Sequence, residues 1–233
     1  GSCSDSGPYI WGGFDAMRIL PSKYNGNPQQ ASRPMSANAS GFVPGSGAGA
    51  MVLESLGSAL ERGAKIYAEV LGGATNSGGQ RGLGTMTAPN SEAVQRCIHE
   101  ALVDAGVEKW EVDVINGHLT ATSKDAEEIR NWSEALGRSG KDFPYINTTK
   151  GLVGHCLAAA GSIECVATLL QYREGLVFGN QNCSDLHPEI MNLVDASKIP
   201  LKSIAHRPKI TAKASFGFGD VNACVIFNEY KEI

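Results

Sequence analysis

The sequence predicts an α/β fold of stacked layers, and three observations predict it. Segments with strand composition alternate along the chain with segments of helical apolar spacing. The 28 glycines gather in short clusters beside apolar runs, GSGAGA (45–50), GGATNSGG (72–79) and SFGFGD (215–220). Such clusters mark tight turns where backbone approaches backbone or ligand, whereas dispersed glycine would mark a linker. Hydrophobic residues make up 42% and charged residues 19% of the 233, the balance of a globular core.

Taken in order, residues 8–20 have helix-like apolar spacing behind a proline, and residues 21–46, rich in Pro, Asn, Ser and Gly, read as a long loop. GAMVLESL (49–56) reads as a buried strand running into a short helix, SALERGAK, that ends at Gly63. KIYAEVLGGAT (65–75) has strand composition. Residues 91–105 place Val94, Ile98, Leu102 and Val103 on one helical face, with Ser91 as N-cap.

EVDVING (111–117) is a short strand, KDAEEIRNWSEAL (124–136) a polar helix and YINTTK (145–150) a further extended segment. GLVGHCLAAAGSIECVATLLQY (151–172) reads as one long apolar helix. Gly151, Gly154, Gly161, His155 and Glu164 mark it as packed inside a protein. Residues 209–230 read as two strands flanking a glycine turn.

The composition excludes several classes of function. A net charge of −4 lacks the basic excess of a nucleic-acid binder. No run approaches the ~18 apolar residues that span a bilayer, and no basic-then-apolar signal opens the chain, so no membrane and a cytoplasmic location are expected. Cys3, Cys97, Cys156, Cys165, Cys183 and Cys224 are scattered without a CxxC pair, so neither a disulfide framework nor a metal site is expected.

Three motifs carry chemistry. NGHLTAT (116–122) sets His118 just past the C-terminal end of a strand, where open α/β sheets place ligands. Read alone, it also fits a histidine that caps the strand and is satisfied by the neighbouring threonines. TTKGLVGHCLAAAG (148–161) sets Lys150 and His155 five apart around the predicted start of a helix, whose N-terminus would depress the imidazole pKa. A lysine and a histidine beside an Ala/Gly-rich helix are costly to bury without partners. SFGFGDVN (215–222) spaces two phenylalanines by glycine on a turn, which alone also fits a hairpin packing its aromatics on the core.

In this order and spacing the three motifs resemble those of the β-ketoacyl-[acyl carrier protein] synthases. That family reads N-A-H-G-T-S-T, then K-x-x-x-G-H-x-x-x-A-A-G, then N-S-F-G-F-G-G-x-N. ASRPMS and GFVPGSGAGAMVLE, within residues 31–54, resemble the segment ahead of them. The resemblance implies a thiolase-like layered α/β/α fold. Residues 1–62 would be the end of an N-terminal half and 63–233 a C-terminal half.

The resemblance also implies a decarboxylative Claisen condensation of an acyl thioester with malonyl-[acyl carrier protein], in fatty acid or polyketide-like chain elongation. His118 and His155 match the family's two histidines and Lys150 its lysine. Glu128 falls where the family has an acidic residue that would pair with that lysine. Phe216 and Phe218 match the gating phenylalanines, the backbone N–H of Phe218 matches an oxyanion donor, and Thr120 and Thr122 match threonines lining the way in for the pantetheine arm. Implied are an acyl carrier protein as partner, its phosphopantetheine as the carrier of substrate, no metal or other cofactor bound directly, and a homodimer.

Departures accompany the match. Leu119 stands where the family has glycine, one residue is missing between Thr122 and Asp125, and Asp220-Val221 replaces the usual pair in the gate turn. GSCSDSG (1–7) looks like a nucleophile turn, but Cys3 lies only 30 residues before Arg33 and no strand precedes it. The spacing aligns it with a later turn of the family, so Cys3 is read as structural and the nucleophile as absent from these residues. The expectation is therefore an acyltransferase segment that is inactive without a missing N-terminal half. The alternative is a non-catalytic partner or scaffold subunit; a thiolase-like hydrolase or acyl-CoA enzyme fits less well, because Phe218 stands where thiolases prefer a second cysteine. Arg18, Arg62 and Lys65 are candidates for docking an acidic carrier.

Overall fold

A computed structural model describes residues 1–5 and 7–231. The chain runs β1 (Ser2–Ser4), α1 (Pro8–Ala16), β2 (Gly47–Gly49), α2 (Leu56–Glu61), β3 (Glu69–Ser77), α3 (Ser91–Ala105), β4 (Val112–Asn116) and α4 (Asp125–Leu136). It continues through β5 (Tyr145–Asn147), α5 (Lys150–Val153), α6 (Ala160–Glu174), β6 (Leu176–Val177), α7 (Pro188–Leu193), β7 (Ile204–Ala205), β8 (Ile210–Gly217) and β9 (Val221–Asn228).

A five-stranded sheet in the order β3-β9-β8-β4-β5 forms the centre. β9 pairs antiparallel with both β3 and β8, whereas β4 lies parallel to β8 and β5. The period-2 alternation of strands sorts the residues of β8 and β9 to two faces. Ala212, Ala214, Phe216, Cys224 and Ile226 join Val94, Ile98 and Leu102 of α3 and Ile129 and Trp132 of α4 in the main core. Val225 and Phe227, on the opposite face, pack with Cys165, Leu169 and Tyr172 of α6. The layered α/β/α order read from the sequence is the order found. The turn between β8 and β9 closes at Asp220 and Gly219, both in the left-handed region, and the two long strands follow the predicted bounds.

Several expectations change. Residues 151–172 are not one helix: α5 stops at Gly154 (φ +73°, ψ −171°), and α6 begins only at Ala160 after a 3₁₀ turn. Between them His155 gives up helical bonding, donating its N–H to Val43 O at 2.7 Å while its carbonyl accepts from Gly45 N at 2.9 Å. His155 thus sits at a break in the helix rather than at its N-terminus. Residues 50–55 form no buried strand. β1 offers β2 three residues of pairing, the chain beyond Gly49 finds no ladder among the described residues, and Val52 and Leu53 are 85% and 71% exposed.

The N-cap of α3 is Asn90, whose side chain accepts from Ala93 N, and not Ser91. Val103 lies outside the buried stripe formed by Val94, Ile98 and Leu102. Elsewhere the third strand starts at Glu69, four residues later than its composition suggests. Among the described residues no helix is long and apolar enough to cross a membrane.

Candidate active site

β4 ends at Asn116, and the chain turns over Gly117 to deliver His118. The turn 118–122 is strained, with Leu119 at φ +25° and Ala121 at φ +64°. Two buried carboxylates at the start of α4 hold it. Glu128 accepts the N–H groups of His118 and Leu119, both at 2.7 Å, and the Trp132 indole N–H at 3.4 Å. Asp125 accepts from Thr120 N at 2.9 Å, Ala121 N at 3.1 Å and, from the 21–46 loop, Met35 N at 2.8 Å. Carboxylates at a helix start favour the macrodipole, and each oxygen satisfies donors that strain would otherwise leave unpaired. Burial drives the Glu128 carboxyl up to about 7, aided by the Asp125 charge, and burial also raises Asp125.

His155 comes from the break between α5 and α6. Its Nδ1 accepts the Leu157 N–H at 3.1 Å, so the ring proton of the neutral imidazole sits on Nε2. The two imidazoles meet edge to face with ring centroids 5.2 Å apart. Nδ1 of His118 is buried and has no hydrogen-bond partner among the described residues. Burial holds both rings neutral: His155 falls to about 3 and His118 well below its ordinary value, with Lys150 adding to burial in both cases. Desolvation is the largest cause and the nearby lysine charge adds to it.

Both histidines line a cleft of about 820 Å³. Of the expected residues, Thr120, Thr122, Glu128, Phe216 and Phe218 line it with them. Phe216 is buried, its ring 6.4 Å from that of His118, while Phe218 is half-exposed on the turn. Lys150 lies behind the cleft, fully buried. Its ion pair is with Glu164 of α6, and the pairing with Glu128 expected from the sequence is not formed. Glu128 instead accepts from the backbone N–H groups of His118 and Leu119 and from the Trp132 indole.

Several residues of the site were not read from the sequence. Phe14 of α1 and Phe42 stack edge to face at 4.9 Å, and Phe42 meets the His155 ring at 5.2 Å. Their signal was weak: α1 was visible as an apolar helix, but nothing local indicated that it faces the histidines. Glu164 was visible as a charge in an apolar helix, a sign that it has a partner. Lys213 of β8, the second partner of Glu164 at 2.7 Å, carried the same sign in the apolar stretch ITAKASF. None of the six cysteines lines the cleft, and Cys3 lies exposed on β1. Among the described residues no group of three or more His, Cys, Asp or Glu side chains is arranged to hold a metal ion.

A mixed sheet between helical layers, with two buried neutral histidines meeting edge to face in one cleft, defines a layered α/β protein with a paired-imidazole site. Comparison with known proteins narrows the class. Residues 67–184 match the family model "Beta-ketoacyl synthase, C-terminal domain" and residues 1–59 match "Beta-ketoacyl synthase, N-terminal domain". The chain belongs to the β-ketoacyl synthase family.

It is 41% identical over 227 residues to the chloroplastic 3-oxoacyl-[acyl-carrier-protein] synthase I of Arabidopsis thaliana, covering 96% of this chain and 46% of that protein. It is 36% identical over 221 residues to 3-oxoacyl-[acyl-carrier-protein] synthase 1 of Escherichia coli (strain K12), covering 94% of this chain and 51% of that one. The chain spans about half the length of the curated relatives it matches. Among solved structures it superposes on one chain of a complex described as a type II PKS acyl-carrier protein in complex with its ketosynthase bound to the hexaketide. The TM-score is 0.90 at 31% identity, over 99% of this chain and 55% of that one. With the layering described above, these likenesses show the thiolase-like α/β/α fold.

Proposed function

We propose that the chain supplies the two-histidine side of a condensing site that joins an acyl thioester to malonyl-[acyl carrier protein] with loss of carbon dioxide. The observation that carries this reading is the pair of neutral imidazoles 5.2 Å apart in one cleft. His155 Nδ1 is occupied by the Leu157 N–H, which leaves Nε2–H free to donate. His118 Nδ1 is buried, which leaves Nε2 as the nitrogen for the cleft. Two neutral donors aimed at one thioester oxygen stabilise the enolate that forms as the malonyl carboxylate leaves as carbon dioxide. A charged imidazolium would instead bind the carboxylate and hinder its loss.

The same reading assigns the other residues. Lys150, held by Glu164, adds positive charge behind the pair, and Glu128 fixes the turn that carries His118. Thr120 and Thr122 face the arm of a phosphopantetheine carrier, and Phe216 and Phe218 border the acyl side of the cleft. The carrier is an acyl carrier protein; the relatives that are 3-oxoacyl-[acyl-carrier-protein] synthases support this. The nucleophilic cysteine comes from sequence outside these 233 residues, since none of the six cysteines lines the cleft. Residues 1–62 would close an N-terminal half and 63–233 form a C-terminal half of a synthase that works as a homodimer. A cytoplasmic location belongs to the same proposal.

A non-catalytic scaffold subunit has no need of both histidines in this geometry. Measuring malonyl-[acyl carrier protein] decarboxylation by the complete synthase separates the two readings. An enzyme releases carbon dioxide, and His155→Ala lowers that release by about 100-fold or more, the worth of one oxyanion donor. No release above background from the unaltered synthase identifies a scaffold.

A further inference from the structure

Behind the two histidines lies a buried cluster with more positive than negative members. Glu164 presents one carboxylate to two ammonium groups, Oε1 to Lys150 of α5 and Oε2 to Lys213 of β8 at 2.7 Å. The side chains of Glu164 and of both lysines are 2% exposed. One Lys–Glu pair would already balance the charge of α6. A second buried ammonium costs desolvation that the shared carboxylate repays only in part, so it is not explained by stability.

We propose that Lys213 is a positioning residue of the histidine site, fixing Glu164 from the sheet so that a surplus positive charge stands behind His118 and His155. The inference rests on the condensing reading above and deepens it.

The geometry supports it in two ways. Lys213 is locked to its own strand, donating to Ala214 O and to Ser215 Oγ at 3.0 Å. The next residue, Phe216, lines the cleft beside His118. Lys213 meets Glu164 Oε2 as an ion pair at 2.7 Å while its own hydrogen bonds go to the strand, and Oε1 is bonded to Lys150, so the strand, α6 and α5 converge on one carboxylate. The second support is electrostatic. The titratable groups around the two rings are Lys150 from α5, Glu164 from α6, Lys213 from β8, and Glu128 and Asp125 from α4; the surplus is that of the lysine cluster, two ammonium groups on one carboxylate, while burial raises both α4 carboxyls, Glu128 to about 7. Burial is the largest influence on both rings, and Lys150 and Lys213 both act in the same direction, against an imidazolium. Glu164 opposes them at His155. The thiols that feel the cluster, Cys156, Cys165 and Cys224, are pushed up by burial and carry no charge at neutral pH. Removing Lys213 therefore leaves Glu164 balanced by Lys150 alone, and both rings become easier to protonate.

The test uses the complete synthase with Lys213→Met and Lys213→Arg. Two quantities are read, the pH profile of malonyl-thioester decarboxylation and the ring ¹⁵N shifts of His118 and His155. Loss of the charge is expected to raise the ring titrations by about one pH unit, giving about tenfold more imidazolium at a fixed pH above them. The acid limb of kcat moves up with them, and Lys213→Arg restores it. A lysine with only a structural role would lower the yield of folded protein and leave the limb where it was. If Lys213→Met does not accumulate in folded form, Lys213→Gln, which keeps a donor for Glu164 without the charge, reads the same shift. Unmoved ring titrations in a folded, uncharged variant overturn the inference. Moved titrations in a synthase that never decarboxylates sustain the role of Lys213 and overturn the condensing reading instead.

Discussion

The corner that carries His118 and the corner that carries His155 are built by opposite means. At the first, side chains hold backbone: Glu128 and Asp125 reach from α4 and take up the N–H groups of residues 118 to 121. The pieces lie within ten residues of one another. At the second, backbone holds backbone. Residues 43–45 run beside 154–155 at hydrogen-bond distance, and nothing but glycine leaves the room. A Cβ on Gly154 would stand 2.7 Å from Val43 O, and one on Gly45 would stand 2.6 Å from Val153 O. The first corner is therefore sensitive to charge and pH, the second to added volume.

Breaking the second corner has the larger expected effect. Gly154→Ala adds a methyl group against Val43 O and demands φ +73°, ψ −171°, a region open essentially only to glycine. We expect a loss of about 2–3 kcal/mol in stability by chemical denaturation. Because the strain falls at the residue before His155, decarboxylation should drop with it. Gly154→Ala with unaltered stability would show that the 43–45 segment yields readily and that close approach does not place His155.

Breaking the first corner is expected to cost less and to show in pH dependence. Glu128→Gln keeps one acceptor for the two N–H groups and puts an NH₂ where the second acceptor was, at about 1–3 kcal/mol for a buried donor left unpaired. The sign of the pH effect follows from the raised carboxyl. Folded Glu128 titrates at about 7 against an ordinary 4.5, so the native state binds the proton more tightly. Its contribution to stability is full below 4.5 and is lost as pH rises through 7. The unaltered protein should therefore lose stability across that window, and Glu128→Gln should flatten this part of the profile. An unchanged slope in the variant would assign the titration to another group.

The same contrast explains what could be read from the sequence. His118, its strand and the polar helix behind it are contiguous, so local pattern sufficed to draw them, although the pairing of Glu128 with Lys150 that the family resemblance implies is replaced by bonds to backbone. The Ala/Gly-rich stretch 151–172 satisfies every local rule for one helix. What breaks it is a segment 110 residues earlier that competes for the bonds of His155, and no window around residue 155 contains that information. Glu164 stands as an isolated charge in an apolar run, a sign of a partner without its identity, and Lys213, not singled out from the sequence, carries the same sign. The strand read at 49–56 failed for a related reason, since composition reports readiness to pair and not whether a neighbouring strand is there.

The most direct test of the paired-donor account is a crystal structure of the complete synthase with a non-hydrolysable malonyl-thioester amide bound. The account predicts the carbonyl oxygen of the analogue within hydrogen-bond distance of Nε2 of both His118 and His155, with Nδ1 of His155 still accepting from Leu157 N. An analogue whose carbonyl oxygen sits on other donors, with the two imidazoles turned from it, would contradict the account.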